Sequence, residues 1–136
     1  VGRGTDMPFE IVAAPWMNAE AVVKRLRDLE IAGVSFDPIE VIPKSSVHAN
    51  KKCLGFRISI VTPAQFEPIR TALSIASVLH EIHPADWDFD GMDKMLRSKA
   101  ALNAVRAGKG LADIEATWAT ELGTFKQKRE RFLLYR

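Results

Sequence analysis

Apolar positions along this chain recur every three to four residues in some stretches and every second residue in others. Val22, Leu26 and Leu29 fall on one face at i, i+4 and i+7, and Asn18 ahead of them can cap the turn. A helix is expected from Asn18 through Glu30, ended by Gly33. Phe56, Ile58 and Ile60 alternate with Arg57 and Ser59, the pattern of a half-buried strand. Val34, Phe36, Ile39 and Val41 suggest a second extended segment, interrupted at Pro38. Thr62-Pro63 with Gln65 has capping-box form ahead of a helix carrying Phe66, Ile69, Leu73 and Ala76 and ending before Pro84. Pro68 removes an amide donor in that helix's second turn, so either the first turn is separate or the helix bends there.

The later segments read as helices over Met92 to Arg97, Lys99 to Ala107 with Gly108 as the stop, and Leu111 to about Arg131. Leu111, Ile114, Trp118, Leu122 and Phe125 form one stripe on the last helix, with Trp118 expected in the core, and Phe132 to Tyr135 suggest a short edge strand. The sum is an α+β fold, a small mixed sheet packed with several helices and a C-terminal helical segment. No repeat, low-complexity tract or second domain boundary interrupts residues 1–136, which read as one domain.

Composition narrows the function classes. Hydrophobic residues make up 47% and charged residues 26% of 136, ordinary values for a folding domain. Nineteen Lys and Arg against seventeen Asp and Glu leave a net charge of +2, too small to argue for nucleic acid. The basic run Lys126-Gln-Lys128-Arg129-Glu-Arg131 reads as a solvated helix face. No apolar run reaches the roughly 18 residues a membrane span requires. Cys53 is the sole cysteine, so neither an intrachain disulfide nor a cysteine-based metal cluster can form.

Several side chains invite chemical readings. His80 and His83 stand three apart with Glu81 between them and Asp86, Asp88 and Asp90 nearby; that spacing is weaker than a His-Glu-x-x-His pattern, and a polar helix end followed by an acidic loop competes with a metal site. No metal or other cofactor is expected. Ser45-Ser46 and His48 share one loop but lack the strand-to-helix elbow of a serine hydrolase, and Cys53 reads as a small buried hydrophobe. Trp16, Trp87 and Trp118 are candidates for stacking on sugar rings or for the core.

The opening loop differs in kind. Gly2-Arg3-Gly4-Thr5-Asp6 sets a guanidinium and a hydroxyl among residues that let backbone approach a ligand, the form of an anion or sugar-hydroxyl site. The competing reading pairs Arg3 with Asp6 or Glu10 across a turn.

Gly2-Arg3-Gly4-Thr5-Asp6-Met-Pro8-Phe9-Glu10, followed by Ala14-Pro15-Trp16, resembles the GRGT-x-x-PFE…GAPW signature of NamZ-type peptidoglycan exo-β-N-acetylmuramidases. The resemblance runs on through Cys53-Leu-Gly55, Phe66 to Leu73, Trp118, Phe125 and Leu133-Leu134-Tyr135, and so spans the chain. It implies the smaller C-terminal domain of a two-domain hydrolase whose Rossmann-like N-terminal domain is absent from this chain and carries the proposed catalytic glutamate. The implied activity is removal of a terminal N-acetylmuramic acid from peptidoglycan fragments in bacterial cell-wall turnover, with a periplasmic or secreted location. It implies further that this chain alone is inactive, and that its partners are a muramyl sugar and the missing domain; charge and the lack of a long apolar run already argue for no nucleic acid and no membrane insertion.

Arg3, Thr5 and Glu10 match the motif and carry over as substrate-binding residues, with Asp6 beside them; Glu10 is also a candidate for the second carboxylate that glycoside hydrolysis requires. An alternative makes Glu10 structural, held by Arg3 or by loop amides. The chain departs from the family at Ser45-Ser46-Val47-His48, where relatives often carry an aromatic after the serine. The rival function class is a non-catalytic sugar-binding or structural module.

Overall fold

Three strands, Ile11–Ala14 (β1), Val34–Val41 (β2) and Cys53–Ile60 (β3), make one sheet in the order β1-β3-β2. They are seen in a computed structural model, which describes residues 2–87 and 90–134. The expected α+β architecture is present, and both strand pairings of its small sheet are antiparallel. Contacts group the chain into two units, residues 1–88 with the sheet and two α-helices, and residues 89–136, whose described regular elements are all helices.

In the first unit the alternation of β3 decides which way the sheet faces. Phe56 pairs with Val12 on one side and Pro38 on the other, so these side chains share a face. That face, with Val34, Phe36 and Ala14, closes a core against α1 (Ala19–Asp28), through Val22, Val23 and Leu26, and α2 (Pro68–Ile82), through Val78 and Leu79. Phe36 and Phe56 meet edge to face at 5.9 Å. Complete burial of Phe56 contributes about 1.5–3 kcal/mol. Ile11, Arg57 and Asp37 are register partners and point to the opposite face.

Local signals hold at α1, where Asn18 Oδ1 accepts from the Ala21 amide at 3.1 Å. The helix stops at Asp28 with Leu29 as its cap, ahead of Gly33, which sits in the turn into β2. β2 is not broken at Pro38: as an edge strand it has one unpaired side, where a missing amide hydrogen costs nothing. Pro68 resolves as a separate first turn. Pro63–Gln65 form a 3-10 turn and α2 begins afresh with Pro68 at its N-terminus, so Thr62 makes no side-chain cap, Phe66 precedes the helix and Ile69 is exposed.

β1 was not foreseen, since four residues of IVAA carry no alternation. Gly55 makes its pairing possible: a methyl carbon there would stand 2.5 Å from Ala13 Cα, so only a hydrogen lets the strands approach.

In the second unit α3 (Asp93–Leu96) and α4 (Lys99–Arg106) precede α5 (Leu111–Glu130), and α4 packs on α5. The apolar stripe of α5 departs from expectation. Ile114 is buried, but Trp118 is only half-buried and Leu122 and Phe125 are exposed, so Trp118 is not a core residue of this chain. Residues 132–134 are exposed and form no strand, and Tyr135 lies outside the described residues.

Candidate functional site

The opening loop is shaped from within and then held from below. Thr5 Oγ1 donates to the Gly2 carbonyl at 2.7 Å and accepts from the Met7 amide at 3.2 Å, while the Thr5 amide also donates to Gly2 O. Thr5 therefore spends its hydroxyl on the loop's own backbone. Gly2 and Gly4 take positive φ values of 67° and 79°, a region glycine enters without strain.

A second loop lies against the first. The Lys44 amide donates to Gly4 O at 2.7 Å, and Gly4 sits on the backbone of Ser45. Asp6 and Lys44 approach to 3.9 Å, but both are almost fully exposed, so their attraction is largely screened. The two loops share an unusual density of left-handed backbone: Phe9, Ser46 and Asn50 join the two glycines. Three non-glycine residues in that region mark a segment held by its surroundings.

Arg3 and Glu10 are not partners of each other. Arg3 is exposed and makes no hydrogen bond or ion pair among the described residues. Glu10 instead meets Arg57 of β3, whose Nε and Nη2 donate to one carboxylate oxygen, Oε2, at 3.1 and 2.7 Å. The Glu10 carbonyl accepts from the Ile58 amide at 2.7 Å. Of the four residues picked from sequence, Thr5 is thus turned inward, Glu10 is anchored to the sheet, and Arg3 and Asp6 face solvent. Arg57 was missed. Its place in the strand alternation marked it as outward-facing, but without β1 nothing brought Glu10 to it.

Several of the other candidates take part in packing. His83 is buried, and its Nε2 accepts from the Asn18 amide at 3.1 Å while its ring lies 5.0 Å from that of Trp16. Its lone pair is therefore not free for a metal. No group of three metal-ligating side chains forms among the described residues; Asp88 and the side chain of Asp90 lie outside them. Trp16 and Trp87 pack against the core cluster. Among the described residues no hydrogen bond joins Ser45 or Ser46 to His48. Cys53 is fully buried, and desolvation pushes its thiol above the ordinary pKa, partly offset by Lys51, which disfavours the thiolate form. No described helix is long and apolar enough to cross a membrane.

Comparison with known proteins bears on the family and the fold. The family model described as exo-beta-N-acetylmuramidase NamZ, C-terminal, matches residues 1–135. Peptidoglycan beta-N-acetylmuramidase NamZ of Bacillus subtilis (strain 168) is 27% identical over 137 aligned positions, which take in 98% of this chain and 33% of that protein. The crystal structure of a DUF1343 family protein from Bacteroides fragilis superposes with a TM-score of 0.84 at 23% identity, over 99% of this chain and 37% of that one. This chain thus spans about a third of the length of the curated relative it matches.

Proposed function

This chain belongs to the NamZ C-terminal family, and from that premise we propose that it supplies one wall of a cleft in which a larger hydrolase removes terminal N-acetylmuramic acid from peptidoglycan fragments. The observation that carries the reading is Arg3: an exposed guanidinium, without a hydrogen bond or ion pair among the described residues, on a loop shaped by Thr5 and by backbone bonds at Gly2, Gly4 and Met7. N-acetylmuramic acid differs from N-acetylglucosamine by a lactyl carboxylate, a planar anion that a guanidinium meets with two parallel hydrogen bonds. Preorganised backbone around Arg3 lowers the ordering cost of that contact.

In this reading the chain binds and the remainder of the protein supplies the acid and base. Glu10, engaged by Arg57, serves as a hydrogen-bond acceptor. Glycoside hydrolysis usually needs two carboxylates flanking the bond, and in this reading the remainder of the protein supplies them, while Asp6, 94% exposed by side chain, lies near Lys44.

The experiment is to assay this chain alone on a chromogenic muramyl glycoside, then with the remaining part of the protein added. The reading expects no sugar release from the chain alone and activity on addition, since positioning within a complete cleft is worth about 7–11 kcal/mol of barrier. Turnover by the chain alone would overturn it.

A further inference from the structure

We propose that Arg57 is a positioning residue that acts through Glu10, fixing one carboxylate oxygen so that the other is reserved for a neutral donor of the sugar, a hydroxyl or the acetamido N–H. The inference rests on the reading above that the opening loop lines a muramyl-binding cleft.

Its basis is an asymmetry. Both guanidinium bonds from Arg57 go to Oε2, and Oε1 has no partner among the described residues. The Glu10 side chain is 48% exposed, so that open oxygen is within reach of a ligand. The backbone of Glu10 is pinned by Ile58, and Phe9 before it is held at φ 69°. The carboxylate is therefore fixed at both ends.

Arg57 is equally fixed. It sits on the central strand, and its register partner on β2 is Asp37, a carboxylate that would compete for it. Arg27 removes that competition: its Nη2 donates to Asp37 Oδ1 at 2.8 Å and its Nε to the Phe36 carbonyl at 3.0 Å. Arg57 is left to Glu10. The two charges then divide the sugar between them. The open oxygen of Glu10, its charge offset by Arg57, accepts from hydroxyl or amide hydrogens, whereas the unpartnered cation at Arg3 attracts the carboxylate.

The test uses the full-length protein with Arg57→Ala, Arg57→Lys, Glu10→Gln and the Arg57→Ala/Glu10→Gln double variant, and separates KM from kcat on a muramyl substrate. Arg57→Ala should raise KM by about tenfold with kcat changed by less than about threefold, the signature of lost binding and not lost chemistry. Arg57→Lys, which keeps the charge but not the two-pronged grip, should fall between. In the Glu10→Gln background Arg57→Ala should add less than about twofold, because the two act as a unit. An exposed pair of this kind adds little to stability, so the melting temperatures should stay close. Additive effects, or an Arg57→Ala variant with unchanged KM beside an impaired Glu10→Gln, would overturn the role given to Arg57. Silence of both Glu10→Gln and Arg3→Ala would overturn the underlying cleft reading instead.

Discussion

Gly4 and Ser45 touch so closely that a methyl carbon on Gly4 would lie 2.8 Å from the Ser45 amide nitrogen and 2.9 Å from its Oγ. This contact, in a left-handed conformation, locks the opening loop to the loop after β2. Gly4→Ala should cost about 1–3 kcal/mol in backbone strain, before any cost of the clash. Hydrogen exchange reads it directly: the Lys44 amide, bonded to Gly4 O, should exchange at least about tenfold faster in the variant while the β3 amides keep their protection. Unchanged Lys44 protection would show that the loops hold together without this contact.

His83 ties the end of α2 to the start of α1 by accepting the Asn18 amide. Replacing it with alanine leaves that amide without its partner and removes the ring packed on Trp16, so a loss of about 1–3 kcal/mol is expected in urea unfolding. Added zinc should change neither the wild-type midpoint nor the variant's. Stabilisation of the wild type by zinc, absent in the variant, would restore the metal reading.

Burial raises the Cys53 thiol above its ordinary value. A raised value means the folded state holds the proton more tightly than the unfolded chain. The associated stability is complete below the unfolded thiol's pKa of about 8.5 and is lost as pH rises through the folded value. Between pH 7.5 and 10 the wild type should therefore lose more stability than Cys53→Ala, measured as the shift in urea midpoint. Equal losses would contradict the assignment.

The α+β class, the Asn18 cap, the interruption at Pro68 and the strand around Phe56 were legible because each rests on local periodicity or on one residue's covalent geometry, though only the structure decided for a separate turn over a bend. β1 was hidden because it gains its strand character from pairing with β3, where Gly55 admits it. The same gap hid the candidate site's main contact. Arg3 and Glu10 stood out from sequence, but the partner of Glu10 lies 47 residues away, and only the sheet register brings Arg57 to it. The α5 stripe shows the opposite failure: its period was read correctly, but periodicity does not say whether a face is covered, and Leu122 and Phe125 are exposed.

The central claim, that Arg3 reads the carboxylate of a muramyl sugar, is tested most directly by kinetics of the full-length protein on paired substrates. Hydrogen bonds to charged groups contribute about 1.5–3 kcal/mol each, so Arg3→Ala and Arg3→Lys should lower kcat/KM on a muramyl glycoside by roughly ten- to a hundredfold. The glucosaminyl analogue, which lacks the carboxylate, should be affected much less. Equal losses on both substrates would mean that Arg3 holds the loop and does not read the sugar.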